Sequence, residues 1–211
     1  MGHPKGIMLT HRNLSNIVHF EYNRTTLDFR RVLQFTTMSF DVCYQEIFST
    51  LLAGGELHII GNDDKRDILK LLAFIEEYRL ETAFLPTSLF KFIINESYYV
   101  EKLPKTLKHL VVAGEQLVLP ESFIAYLHQH DIQLHNHYGP SETHVITSLT
   151  MKAKESIMGI PPIGRPLANT RIFIVSEEMQ LQPVGVPGEL CVSGDTVGLG
   201  YLNRNELTVL Q

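Results

Sequence analysis

The stretch Leu134-His135-Asn136-His137-Tyr138-Gly139-Pro140-Ser141-Glu142-Thr143 concentrates side chains that suit a phosphorylated ligand. Glycine opens backbone conformations closed to other residues, and the proline after it fixes φ, so a tight turn is expected here. Ser141, Glu142 and Thr143 then stand side by side at a chain reversal, with free backbone N–H groups expected nearby. Hydroxyls and amides take phosphate oxygens, and a carboxylate holds the accompanying Mg²⁺. Tyr138, just before the turn, offers a ring on which a flat base can stack. An ordinary strand-to-loop corner carries the same Asn/Gly/Pro pattern, so the rest of the chain must decide between the two.

The elements around the turn have to hold it in place. Ile132 to Leu134 is the apolar strand that feeds it. Upstream, Thr10 caps a helix over Asn13 to Tyr22, with Leu14, Ile17 and Val18 on one face. Val32 to Thr37 is a strand, Asp41 to Leu52 a helix stopped by Gly54-Gly55, and Glu56 to Ile60 a short strand. Asp67 to Tyr78 is a helix, Thr82 to Leu85 a strand, and Ser88 to Asn95 a helix. Leu107 to Ala113 is a buried strand, and Pro120 to His130 a helix with proline at its start. This alternation predicts an α/β fold: a mostly parallel, doubly wound sheet with flanking helices.

Such sheets bind ligands at the carboxyl ends of their strands. Met38-Ser39-Phe40-Asp41, Leu85-Pro86-Thr87, Ala113-Gly114-Glu115 and the central turn all fall at those ends, so one crevice should gather them. Beyond about Ile160, Gly/Pro turns separate short strands at Thr170 to Val175 and Gly188 to Gly194, the texture of part of a small β subdomain. The expected division is an α/β part at residues 1–158 and a β-rich part at residues 159–211, each incomplete at its outer end.

Composition narrows the class. Hydrophobic residues make up 44% and charged residues 19% of the 211, which fits a globular domain with a sizeable core. A formal net charge of −5 provides no basic field for nucleic acid or an anionic membrane surface. Cys43 and Cys191 lie far apart inside apolar runs and are expected to be buried free thiols. No apolar run has bilayer-spanning length and the N-terminus lacks a signal-peptide layout, so the expected location is cytoplasmic.

Four segments, in their order and spacing, then carry a family resemblance: Pro4-Lys5-Gly6; Phe40-Asp41-Val42; Asn136 to Glu142; and Gly188-Glu189-Leu190 to Gly200-Tyr201-Leu202. Together they resemble the adenylate-forming enzymes, and most nearly the amino-acid adenylation domains of nonribosomal peptide synthetases. The resemblance covers essentially the whole chain and implies a fragment of the large N-terminal part of such an enzyme. It further implies an amino-acid substrate, ATP with Mg²⁺, and two steps: adenylation of the carboxylate, then transfer to a phosphopantetheine thiol. The implied partners are the peptidyl carrier and condensation domains of a parent synthetase that makes a peptide antibiotic.

Carried over by motif, Tyr138 would stack on adenine and Asn136 would hydrogen-bond it. Gly114 and Gly139 would let the backbone approach the nucleotide. Ser141 would contact the α-phosphate, Glu142 would bind Mg²⁺, and Lys5 would belong to the loop over the outer phosphates. The chain departs from the family in three places. The Ser/Thr/Gly-rich part of that loop should precede Gly2. The ribose-binding aspartate, the hinge and a bridging lysine should lie beyond Gln211. Gly198-Leu199-Gly200 stands where Ala-Arg-Gly is usual. The piece alone is therefore expected to make little adenylate.

Asp41 would pair with the α-ammonium of the substrate, although a plain helix N-cap accounts for the same residue. The resemblance places the pocket wall at Asp41, Val42, Gln45, Phe84, Val111, Ala113, His137, Val145 and Ile146. That wall is mostly apolar, so a charged side chain would go unpaired there. Phe84 and Gln45 limit its volume. Within the family the set resembles pockets that select proline or a methylproline.

Other features have plainer explanations. His135 and His137 share a strand face as metal ligands would, but no third ligand falls at a usual spacing. Glu76-Glu77 and Asp63-Asp64 belong to solvated surfaces. An acyl-CoA or aryl-acid ligase of the same superfamily is the near rival, disfavoured because its substrates lack the ammonium that Asp41 would meet. A non-catalytic binding module is the rival from another class. A dinucleotide-binding fold is weakest, since no G-x-G-x-x-G follows any strand.

Overall fold

Period-two alternation in the buried strands gives this sheet two apolar faces, and helices cover both. The computed structural model describes residues 5–209, the side chain of Val209 apart, so Pro4 of the Pro4-Lys5-Gly6 segment lies outside the described residues. In chain order the elements are α1 (His11–Arg24), β1 (Arg31–Gln34), α2 (Val42–Leu52), β2 (Glu56–Ile59), α3 (Ile68–Glu77), β3 (Thr82–Pro86), α4 (Thr87–Ile94) and α5 (Ser97–Val100). There follow β4 (His109–Ala113), α6 (Glu121–His130), β5 (Gln133–Tyr138), β6 (Thr147–Met151), β7 (Arg165–Pro166), β8 (Thr170–Val175), β9 (Glu189–Gly194) and α7 (Asn205–Val209). None of the described helices is long and apolar enough to cross a membrane.

Seven strands form one sheet in the order β2-β1-β3-β4-β5-β6-β7. Pairings among β1 to β5 are parallel, while β6 and β7 join antiparallel. Leu33, Leu85, Leu110, Val112 and Leu134 point to one face, where Leu71, Ile75, Phe90, Phe123 and Leu127 from α3, α4 and α6 complete the main core. Val32, Phe84 and Val111 point to the other face and pack with Phe29, Val42 and Leu57. Helices α1 and α2 lie on this second side. The mostly parallel, doubly wound sheet expected from the alternation is present.

The chain leaves β1 for β2 on one side and returns to β3 on the other. That reversal of direction opens a crevice at the carboxyl ends of the strands. Strands β8 and β9 make a separate two-stranded antiparallel sheet. The chain after β9 returns to the crevice: Gly198 N–H donates to Glu142 O at 2.9 Å, and Leu199 N–H to Met8 O at 2.8 Å.

One strand boundary and one burial differ notably from expectation. The strand feeding the central turn does not stop at Leu134 but runs through His135, Asn136 and His137 to Tyr138. It pairs with β4 on one edge and β6 on the other, so its polar residues sit inside a complete ladder. Cys43 is buried as expected, whereas Cys191 is only half-buried on β9.

Candidate active site

The ends of β1, β3, β4 and β5 meet around a cavity of about 450 Å³. The loop after β1 contributes Thr36, Phe40 and Asp41; β3 and the start of α4 contribute Phe84 to Ser88; β4 and the residue after it contribute Val111 to Gly114. Strand β5 and the turn close it with His137 to Ser141, and His144 and Val145 return to it from beyond the turn. A second cavity of about 740 Å³ adjoins the first across Gly114 and Tyr138, and its far wall is Met158 and Ile160 to Ile163.

The turn folds as it does because position 139 has no side chain. A Cβ on Gly139 would stand 1.7 Å from the carbonyl oxygen of His144, so only glycine lets the chain double back this closely. Gly114 has φ +105°, and its missing side chain leaves open space between the two cavities. Tyr138 to Ser141 are exposed at the rim. Thr143 is not open to a ligand: its N–H and hydroxyl both return to Pro140 O, at 3.0 and 3.1 Å. Glu142 Oε1 accepts from the Tyr201 hydroxyl, and Lys5 Nζ lies 4.9 Å from the Tyr201 ring centre.

On the opposite side, the wall between α2 and β5 is dry and hydrogen-bonded. Asp41 Oδ1 accepts from Val42 N–H at 2.9 Å, so the helix-capping role is filled by one oxygen of its carboxylate. Gln45, one turn on, is fully buried; its Nε2 donates to Glu21 Oε1 on α1 and stands 3.4 Å from His137 Nδ1. His144, at φ 57°, receives the Val145 N–H on Nδ1 at 2.8 Å and brings Nε2 to 3.2 Å from Asp41 O. Burial pushes the His137 imidazole down to about 3, with the His144 charge adding to it. His144 is lowered by burial too, against the opposing pull of Asp41. Both are neutral at pH 7.

Most of the expected pocket residues meet in the first cavity: Asp41, Val42, Gln45, Phe84, Val111, Ala113, His137 and Val145 all line it. Ile146 does not; it is fully buried, and its N–H donates to Tyr138 O at 2.8 Å, so it holds the turn from behind. Gly114, Tyr138 and Gly139 border both cavities, while Ser141 borders the first. Asn136 faces the second, where its Nδ2 donates to Pro162 O at 3.1 Å. Glu142 and Lys5 come together at Tyr201 instead of on the cavity wall.

His135 and His137 do not act as a pair. His135 Nε2 lies 3.1 Å from His109 Nδ1, and its Nδ1 lies 3.0 Å from Thr150 Oγ1. Three residues that shape the site are given no role by sequence reasoning: His144, Glu21 and Tyr201. Only Tyr201 lies inside a segment the motifs single out.

A crevice at the switch point of a doubly wound sheet, beside a small buried pocket with a carboxylate at its mouth, is where a fold of this kind takes a nucleotide or another small ligand. The comparisons agree. Residues 1–202 match the family described as AMP-binding enzyme, and the chain belongs to that family. It is 53% identical to tyrocidine synthase 2 of Brevibacillus parabrevis and 50% identical to gramicidin S synthase 2 of Brevibacillus brevis. A plipastatin synthase polypeptide of Bacillus subtilis (strain 168) is 49% identical. Each match takes in 98% of this chain, which spans only 5–6% of the length of these relatives.

Proposed function

We propose that this chain is the part of an amino-acid adenylation domain that holds both substrates, in a nonribosomal peptide synthetase. The carboxylate of the amino acid attacks the α-phosphorus of ATP, the bond to pyrophosphate breaks, and an aminoacyl adenylate results. A phosphopantetheine thiol on a partner carrier domain then takes the acyl group and releases AMP, for use by a condensation domain. The observation that carries this reading is the pair of cavities meeting at Gly114 and Tyr138, with Asp41 and Gln45 on one side and the Gly139–Ser141 turn on the other.

The residues fit their assigned groups. The adenine would enter the larger cavity, with Tyr138 beneath it and Asn136 at its edge. The open space at Gly114 and the exposed Ser141 hydroxyl suit the phosphates, and Lys5 would approach the outer ones. Mg²⁺ is a hard cation that takes oxygen ligands, and when bound it supplies neutralising charge to the phosphates. Glu142 would hold it, with the Tyr201 hydroxyl orienting that carboxylate.

Asp41 would receive the α-ammonium, its second oxygen being left by the cap. The substrate we infer is L-proline or a methylproline. The supporting features are the apolar Val42, Phe84, Val111, Ala113 and Val145, a neutral His137, and Gln45 filling the floor. We also assign the parts as 1–158 and 159–211. Strand β7 crosses that boundary to join the large sheet, while β8 and β9 stand apart.

Amino-acid-dependent exchange of pyrophosphate into ATP, measured on the full-length protein with a panel of amino acids, tests this directly. Proline should lead; leucine or phenylalanine outrunning it would end the proline assignment. Asp41→Asn keeps a good N-cap but removes the charge opposite the ammonium. It should raise the amino-acid KM by about a hundredfold, as expected for a desolvated charge pair, with melting unchanged.

A further inference from the structure

Behind the wall lies a carboxyl group that reaches neither cavity. Glu21 on α1 is fully buried. Its Oε1 accepts from Gln45 Nε2, and its Oε2 accepts from the Ser49 hydroxyl. The same Gln45 nitrogen faces His137 Nδ1 at 3.4 Å.

With the Gln45 amide nitrogen on this side, the donors and acceptors along the row follow. An amide nitrogen carries two hydrogens and accepts none. With one hydrogen on Glu21 and the other directed at His137, the imidazole Nδ1 is the acceptor. A neutral imidazole that accepts at Nδ1 carries its proton on Nε2. The row therefore ends in an acceptor, Gln45 Oε1, and a donor, His137 Nε2–H. Both atoms are buried and have no hydrogen-bond partner among the described residues. Both residues line the first cavity. An unpartnered polar atom at that depth is destabilising, and a bound polar group offsets it.

We propose that Glu21 is a positioning residue for amino-acid binding: it fixes the Gln45 carboxamide, and through it the His137 tautomer, so that the wall presents one acceptor and one donor to the ammonium and carboxylate that an amino acid carries, proline included. This rests on the adenylation reading given above. The arrangement survives a change in the charge of Glu21. Burial pushes its carboxyl up to about 7, against the bonds from Ser49 and Gln45. A proton on Oε2 reverses the bond to Ser49 and leaves Oε1 accepting from Gln45.

The logic separates two substitutions of nearly equal size. Glu21→Gln keeps an oxygen for Gln45 and turns its own nitrogen to the Ser49 oxygen, so the row is preserved. Glu21→Met fills the same space with no acceptor, and the Gln45 amide is released. Exchange assays on the full-length protein, with the amino acid that the wild type prefers, read the difference. Glu21→Met should raise the amino-acid KM about tenfold, the worth of one oriented hydrogen bond. The ATP KM should stay put and melting should not fall, while Glu21→Gln should match the wild type in both KM values.

Glu21→Asp, which withdraws the acceptor by one methylene, should also raise the amino-acid KM and serves if Glu21→Met does not fold. Equal amino-acid KM values in Glu21→Met, Glu21→Asp and wild type overturn the proposal. So does a Glu21→Gln protein as impaired as Glu21→Met, or an ATP KM that moves in step with the amino-acid KM. A wild type that shows no amino-acid-dependent exchange overturns the function and this proposal together; a normal wild type with unaffected variants overturns only the role of Glu21.

Discussion

The two sides of the crevice are built by opposite means. Between α2 and β5 the wall is made of side chains shut away from water: Gln45 is fully buried and His137 is 3% exposed. At the turn, Tyr138 to Ser141 are exposed, and what fixes them is backbone geometry around a glycine. The dry wall suits discrimination, because a polar atom mismatched there goes unpaired at low dielectric. The open turn suits a phosphorylated ligand that keeps much of its hydration and is recognised by backbone and hydroxyl groups. Selection of the amino acid and capture of the nucleotide are thus assigned to regions that should fail differently when damaged.

The largest effect is expected where the two regions touch. A Cβ at position 139 would meet His144 O at 1.7 Å and Val145 Cα at 3.0 Å, all on backbone that cannot easily step aside. Gly139→Ala should cost roughly 4 kcal/mol or more and disturb the wall as well as the turn, since His144 and Val145 belong to the wall. Chemical denaturation of the variant measures this. Wild-type stability would mean that the turn can relax without the wall.

Acid should strike the dry side first. His109, His135, His137 and His144 are all held below their usual range, burial being the leading cause in each. Below about pH 6.5 the unfolded chain takes up protons that these folded imidazoles refuse. Stability is therefore present above that pH and is lost as pH falls. His137 alone, lowered from 6.5 to about 3, accounts for on the order of 5 kcal/mol by pH 3.

Glu21 has the opposite sign. Raised from 4.5 to about 7, it keeps a proton in the fold that the unfolded chain has lost, so its contribution declines as pH rises through that window. Buried Glu46 is raised as well and works in the same direction. Urea midpoints should rise between pH 4 and about 6.5, and more steeply in Glu21→Gln, where one opposing group is gone. A flat wild-type profile below pH 6 would mean that the wall is wet.

The same contrast decides how much the sequence discloses. The doubly wound sheet is legible because hydrophobic alternation is local, and the turn is legible because glycine and proline act on their own backbone. Strand β5 is legible only as far as Leu134, since His135, Asn136 and His137 break the apolar run. They stay in the sheet because both neighbouring strands complete their ladder, and their side chains find partners far along the chain. Glu21 lies 24 positions from Gln45, His137 92 positions from it, and His144 103 positions from Asp41. No window of sequence holds such a network. Motif position puts Ile146 on the pocket wall, yet it supports the turn from behind, a difference set by which way one residue faces.

The smallest change in stability should come with a clean change in function. Tyr138 sits where the cavities join and is 39% exposed. Its ring contributes little to the core, so Tyr138→Leu should alter stability by no more than about 0.5 kcal/mol. A base stacked on that ring would lose its platform, and stacking of this kind is worth about 1–3 kcal/mol, so the ATP KM should rise about tenfold. The amino-acid KM should hold, because the Glu21–Gln45–His137 row lies on the other side of β5's end. Movement of the amino-acid KM in Tyr138→Leu, with the ATP KM unchanged, would place the amino acid against the ring and reverse the assignment of the two cavities.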